Sequence, residues 1–250
     1  MNLSAEQLQH NWETFMNNIE IFISEPRKTQ LKEFYTKHEE RIILTPGSLK
    51  KQYHNCFPGG YVDHVNNVVR MVLKLHKLWK EEGVDTSTYT VEEMIFSAIN
   101  HDLGKIGSKE HEAYLPNTDK WRKEKLGEDY MFNTKIPFAA VPDRSLFLLQ
   151  EAGISYNFNE MVAIKIHDGI YDEGNKPYYM GWTPEQKPRT ALPYILHQAD
   201  IMAMRIEWER TYLPEILGNA KDNVVDTKKS FTLNTNKSSK PSTHNRALKS

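Results

Sequence analysis

The chain has 250 residues, with 32 lysines plus arginines against 33 aspartates plus glutamates and a formal charge of −1. That length suits one domain with appendages and permits a sizeable core, while the balanced charge excludes an overall electrostatic pull toward nucleic acid or acidic membrane and leaves local basic patches open. The single cysteine, Cys56, rules out an internal disulfide, no N-terminal stretch has the order of a signal peptide, and no apolar run approaches a membrane span. A soluble protein in a reducing, cytoplasmic setting is therefore expected.

In chain order, Leu8, Trp12, Phe15, Ile19 and Phe22 recur at three- and four-residue steps and predict a helix from about Ala5 to Ile23 with one buried face. A second helix is expected over Arg27 to Ile43, ended by the turn at Pro46-Gly47. Residues 1–48 thus read as N-terminal accessory helices, and 49–220 as the main domain. Within the latter, Val62, Val65, Val68, Val69, Val72 and Leu75 predict a helix from Tyr61 to Lys80, with His64 in its first turns. Thr90 followed by Glu92 and Glu93 is a helix-entry signal. That helix is expected to run to Gly104, placing His101 and Asp102 in its last turn. Breakers at Pro116, Gly127, Pro137 and Pro142 mark 106–143 as an insertion near the site. Helices resume over Ser145 to Glu151 and Asn159 to Ile166; a Gly- and Tyr-rich loop follows from Gly169 to Trp182, then a long helix from Ala191 to Trp208. From 221 the Lys, Ser, Thr and Asn composition has too little apolar surface to offset the entropy of ordering, so a disordered tail is expected. With no long alternating runs, the fold class is all-α.

Imidazole and carboxylate are suitable ligands for Mn, Fe, Co, Ni or Zn, and side chains on packed helices can converge on one ion inside a bundle. His64, His101-Asp102 and Asp200 each lie on a predicted helix whose other face is apolar. Asp200 is the hardest to read as mere surface: Leu196, Ala199, Ala203 and Met204 surround it, and a buried unpaired carboxylate is costly.

The segments Gly59-Gly60-Tyr61-Val62-Asp63-His64, Asn100-His101-Asp102-Leu103-Gly104-Lys105 and Leu196-His197-Gln198-Ala199-Asp200 follow one another as an isolated His, a His-Asp pair and a distant Asp. In this the chain resembles the HD-domain superfamily of metal-dependent phosphohydrolases over about Tyr53 to Arg205, closest to the branch related to the catalytic domain of certain 3′-5′ exoribonucleases. The resemblance implies an HD-domain helical bundle whose metal ligands are His64, His101, Asp102 and Asp200. It also implies hydrolysis of a phosphate ester or anhydride by attack of a water held on the metal. Ile164-Lys165-Ile166-His167-Asp168-Gly169 resembles the family's His-His-Gly segment, with Asp168 replacing the second histidine. Members with two metals carry a further His where this chain has Val141, so one divalent transition metal is expected, with Mg as an alternative, and a second only if Asp168 or Asp143 rebuilds part of its site.

On this reading Asp102 orients or deprotonates the attacking water, His167 contacts the phosphate or protonates the leaving group, and Lys105 meets the phosphate as a point charge. His54, Lys105, Asp168 and Tyr171 are the candidate substrate contacts. Basic and aromatic residues of the insertion (Lys109, Lys120, Trp121, Arg122, Lys123, Lys125, Tyr130) and of the later loop (Tyr171, Tyr178, Tyr179, Trp182) suit a nucleotide. The expected partner is a small phosphorylated substrate, with no membrane role and the oligomeric state open. The alternatives are an exonuclease or phosphodiesterase acting on RNA or a cyclic dinucleotide, a di-iron oxygenase, and a non-enzymatic regulatory or interaction module. Val141 speaks against the oxygenase.

Overall fold

A computed structural model describes residues 3–218. The chain divides into two units, Met1–Tyr212 and Leu213–Ser250; of the second, only 213–218, a short helical stretch, fall within the described residues. The tail expected from 221 lies outside them.

The first unit is mostly helical, as the apolar periodicity implies. Helix α1 (Ala5–Phe22) opens with a capping box between Ser4 and Gln7 and buries Trp12, Phe15 and Ile19. The helix expected over Arg27 to Ile43 is two: α2 (Arg27–Lys37) and α3 (Glu39–Leu44), broken at His38. Helix α4 (Gly60–Glu81) buries the whole valine stripe together with His64. Helix α5 (Val91–Asn100) begins at a Thr90–Glu93 capping box. It ends earlier than expected, because the chain tightens into a 3₁₀ turn, Leu103–Ile106, that contains Gly104; His101 is the C-cap of α5 and Asp102 the entry to the turn.

The breaker-rich segment folds as strand β1 (Tyr114–Pro116), helix α6 (Lys120–Leu126) and strand β2 (Tyr130–Phe132), the strands antiparallel with Tyr114 opposite Phe132. It is sewn to the loop before α4 by Lys51 N donating to Gly127 O (2.8 Å) and Tyr130 N to Leu49 O (3.2 Å). Helices α7 (Val141–Glu151), α8 (Phe158–Lys165), α9 (Lys176–Met180) and α10 (Leu192–Thr211) complete the unit.

α10 packs along α4, while α5 lies among α1, α4 and α8. The core these helices share runs from Trp12 and Phe15 through Val65, Val68 and Phe96 to Leu196 and Ala199, and burying it supplies the main favourable term in folding. Two glycines shape the route to the site. A Cβ on Gly60 would strike the Asn55 carbonyl oxygen, so only glycine lets the 47–59 loop fold back onto the start of α4. Gly169, at φ +59, turns the chain directly after His167-Asp168 where a side chain would collide with the His197 ring. Among the described residues no helix is long and apolar enough to cross a membrane.

Candidate metal centre

α4, α5 and α10 bring His64, His101, Asp102 and Asp200 to one buried point. His64 Nε2 is 3.0 Å from Asp200 Oδ1, 3.5 Å from Asp102 Oδ2 and 3.4 Å from His101 Nε2, and His101 Nε2 is 3.4 Å from Asp102 Oδ2. His167, from the end of α8, stands closer than a distant phosphate contact would require: its Nε2 is 3.6 Å from Asp102 Oδ1 and 3.6 Å from Asp168 Oδ1. Donor atoms of His64, His101 and Asp200 converge within 4.8 Å of one another, as do those of His101, Asp102 and His167 and those of His167, Asp168 and Asp200. The donor set is thus wider than the four residues expected.

The chemistry of these donors fits a divalent cation. Each ring has its outer nitrogen fixed: His101 Nδ1 by Ala98 O at 2.8 Å, His167 Nδ1 by Ile164 O at 2.8 Å, and His64 Nδ1 by the Glu207 carboxylate at 3.0 Å. With Nδ1–H donated outward, every Nε2 faces the centre, so that a metal displacing the Nε2 proton would meet a lone pair already aimed at it. Glu207 is fully buried, accepts also from Asn67 Nδ2 at 2.9 Å, and lies two turns beyond Asp200 on α10.

Electrostatics follow from packing carboxylates and imidazoles out of water. Burial by itself would lower the His64 pKa, but the carboxylates of Glu207 and Asp200 outweigh it and hold it up to about 10. His167 is raised in the same way to about 9, against burial, by Asp168 and Asp102. Burial pushes Asp102 upward, yet Lys105 and His101 overcome it and hold the carboxyl well below the usual range. Asp200 is likewise depressed, against burial, chiefly by His64. Two carboxylates thereby stay charged in the interior, the situation a bound cation stabilises.

Lys105 is not a solvated end-of-helix lysine: its Nζ lies 2.5 Å from Asp102 Oδ2 with only 12 % of the side chain exposed. The tight turn carrying His101 and Asp102 is held by Ser145, whose Oγ accepts from Gly104 N (2.8 Å) and shares its one proton between His101 O (3.0 Å) and Val141 O (2.9 Å). Tyr35 of α2 supports the same place by donating to Asn100 Oδ1 at 2.8 Å. Val141 begins α7 and offers only its carbonyl, to Ser145 Oγ, while Asp143 pairs with Lys165 at 2.5 Å and is half-exposed, so neither joins the centre.

A cleft of about 480 Å³ opens beside the cluster, with His54, Lys105, Tyr114, Tyr171 and Trp208 in its wall. His54 is buried, its ring 4.6 Å from that of the ligand candidate His64, and its Nε2 has no hydrogen-bond partner. Burial, with the nearby His64 and Lys105, holds its pKa well below the usual imidazole value. Of the basic and aromatic residues expected around a nucleotide, Tyr171 alone lines this cleft. Arg122 and Tyr130 line a separate depression with Glu128, Trp121 and Trp182 project into solvent, and Tyr179 packs on Tyr194 and His197. The sequence reading missed Glu207, Trp208 and Tyr114. Glu207 carried a signal, since its seven-residue step from Asp200 returns to the same helix face.

Compared with protein-family models, with curated proteins and with solved structures, the chain has no match, so the functional reading rests on these residues themselves.

Proposed function

We propose that the protein is a metal-dependent phosphohydrolase of the HD type, acting on a phosphate ester of a small molecule of the nucleotide class. The observation that carries this reading is the convergence of the His64, His101, Asp102 and Asp200 donor atoms, buried and pre-oriented, beside a lysine and an open cleft. When bound, a divalent ion polarises a phosphoryl oxygen and lowers the pKa of a water it binds, which is what ester hydrolysis at neutral pH requires.

The remaining work falls to the chain's own groups. Asp102 has Oδ2 turned to His64, His101 and Lys105 and Oδ1 to His167, so it serves both as a ligand and as an acceptor able to orient a water's proton. Lys105 offers an ammonium to the phosphoryl oxygens at the place where the cleft meets the cluster. His167 Nε2, fixed by its Nδ1 bond, is in position to hydrogen-bond the phosphoryl group or hand a proton to the leaving oxygen. The half-exposed Asp168 extends this edge of the centre toward solvent. An RNA or cyclic-dinucleotide substrate has less support, because among the described residues the cleft lining holds only two cationic side chains, Lys105 and Arg205, for a phosphodiester backbone.

The test is Asp102→Ala. It should abolish hydrolysis across a panel of phosphate esters assayed with Mn, Co, Ni or Mg, and lower the metal content while leaving helicity intact. Full activity of that variant in metal-free buffer would remove the reading.

A further inference from the structure

We infer that the cleft next to the metal centre is a subsite for a nucleoside carrying a single phosphoryl group, with Trp208, Tyr171 and Arg205 recognising the base. This rests on the phosphohydrolase reading of the adjacent cluster. Three observations carry it.

Size comes first. About 480 Å³ is within the range of small-ligand pockets, and the cleft reaches the cluster through His54, which lies on the His64 ring, and Lys105, which lies on Asp102. A phosphoryl group at that end leaves the rest of the volume to one organic moiety.

The second is the wall that meets this moiety. Tyr53, Tyr114, Tyr171 and Trp208 come from four separate segments, the loop before α4, β1, the turn after His167 and α10. The Arg205 guanidinium lies over the Trp208 ring at 4.6 Å, making a flat cationic platform, while Ile201 and Met204 supply apolar backing. Tyr171 is 78 % exposed and contributes almost nothing to the core, so its aromatic surface is available to a ligand. Stacking on such surfaces tolerates any base because every base has a π-face.

Third is charge. No carboxylate lines the cleft, and of its two cations Lys105 is engaged by Asp102 at 2.5 Å and Arg205 by Glu209 at 2.8 Å. Each of the two is thus already paired with a carboxylate, so the cleft holds little free positive charge beyond what a single phosphoryl group at the cluster would meet. A triphosphate would bring charge for which the lining offers no further cation among the described residues.

The experiment compares AMP, ATP and ribose 5-phosphate as substrates of the full chain loaded with Mn, in the natural sequence and in Trp208→Ala and Tyr171→Ala. The expected result is a kcat/KM for AMP above that for either competitor, and a fall in the preference for AMP over ribose 5-phosphate of about tenfold in Trp208→Ala, carried by KM, as loss of a base–aromatic stack produces. Tyr171→Ala, at a largely exposed position that the fold does not need, should shift the preference in the same direction. Preference for ATP, equal use of AMP and ribose 5-phosphate, or a preference that neither variant alters would overturn the inference while leaving the phosphohydrolase reading standing. If the metal-loaded protein hydrolyses none of the three, that reading falls instead. Calorimetric binding of AMP against ribose 5-phosphate and ATP on the same preparations then decides the inference alone: tighter binding of AMP, weakened in Trp208→Ala, supports it, and equal binding ends it.

Discussion

Around the candidate metal centre His64, His101, Asp102, His167 and Asp200 are at most 4 % exposed and the three imidazoles have their outer nitrogens held by acceptors, whereas the neighbouring cleft wall includes Tyr53 at 56 % exposure and Tyr171 at 78 %. The first region is mounted on α4, the end of α5 and α10, which pack on one another in the core. The second shares α10, which carries Trp208 and Arg205, and adds to it the 47–54 loop, strand β1 and the turn that ends at Tyr171. A charge-bearing site needs rigidity, because misplaced buried carboxylates are costly; a recognition wall needs reach, and loops supply it. The contrast predicts that substitutions in the first region act on metal binding and those in the second on substrate preference.

The sharpest way to break that contrast is Asp200→Ala. Removing a buried ligand should abolish stable binding of Mn or Co, read by equilibrium dialysis, with the circular dichroism spectrum retained; undiminished metal content would show that α10 takes no part in the centre. Glu207→Gln comes next. It keeps the shape but loses the charge opposite His64 Nδ1, and should weaken metal affinity about 10- to 100-fold, as loss of such outer partners does. Unchanged affinity would reduce Glu207 to a core residue satisfied by Asn67.

Lys105→Met sharpens the comparison because it lies where the two regions meet. It should lower kcat/KM for a phosphate ester about tenfold, the value of one charge-assisted hydrogen bond, without weakening the metal, since the ammonium competes with the ion for Asp102. A variant that loses metal instead would make Lys105 a structural brace. Smallest of all, Trp121→Ala in the insertion should leave both metal affinity and kinetics within about twofold, as for surface positions away from special features; a larger loss of activity would extend the recognition wall beyond the cleft.

How far the sequence anticipates these regions follows the same division. His64, His101-Asp102 and Asp200 were readable chiefly because their three segments follow one another in the order of the HD-domain resemblance; helical period alone left His64 and Asp102 equally open to ordinary structural roles. Glu207 was obscured by its type: a glutamate between Ile206 and Trp208 looks like solvent-facing charge until the step from Asp200 is counted. That Lys105 lies buried on Asp102 was not legible, because only the 3₁₀ turn after Asp102 shows that the chain folds it back on its neighbour. The cleft wall was largely illegible. Trp208 and Tyr114 meet there through long-range packing, and three-residue strands such as Tyr114–Pro116 and Tyr130–Phe132 are too short to show alternation. The break at His38 inside an otherwise helical run had no glycine or proline to announce it.

The central claim is that these side chains grip one divalent cation. Anomalous diffraction from crystals of the full chain soaked in Mn tests it most directly. The account predicts a peak bonded at about 2.1 Å to the Nε2 atoms of His64 and His101 and to carboxylate oxygens of Asp102 and Asp200; a strong peak held by other residues, or none at this cluster from crystals that take up metal elsewhere, would contradict it.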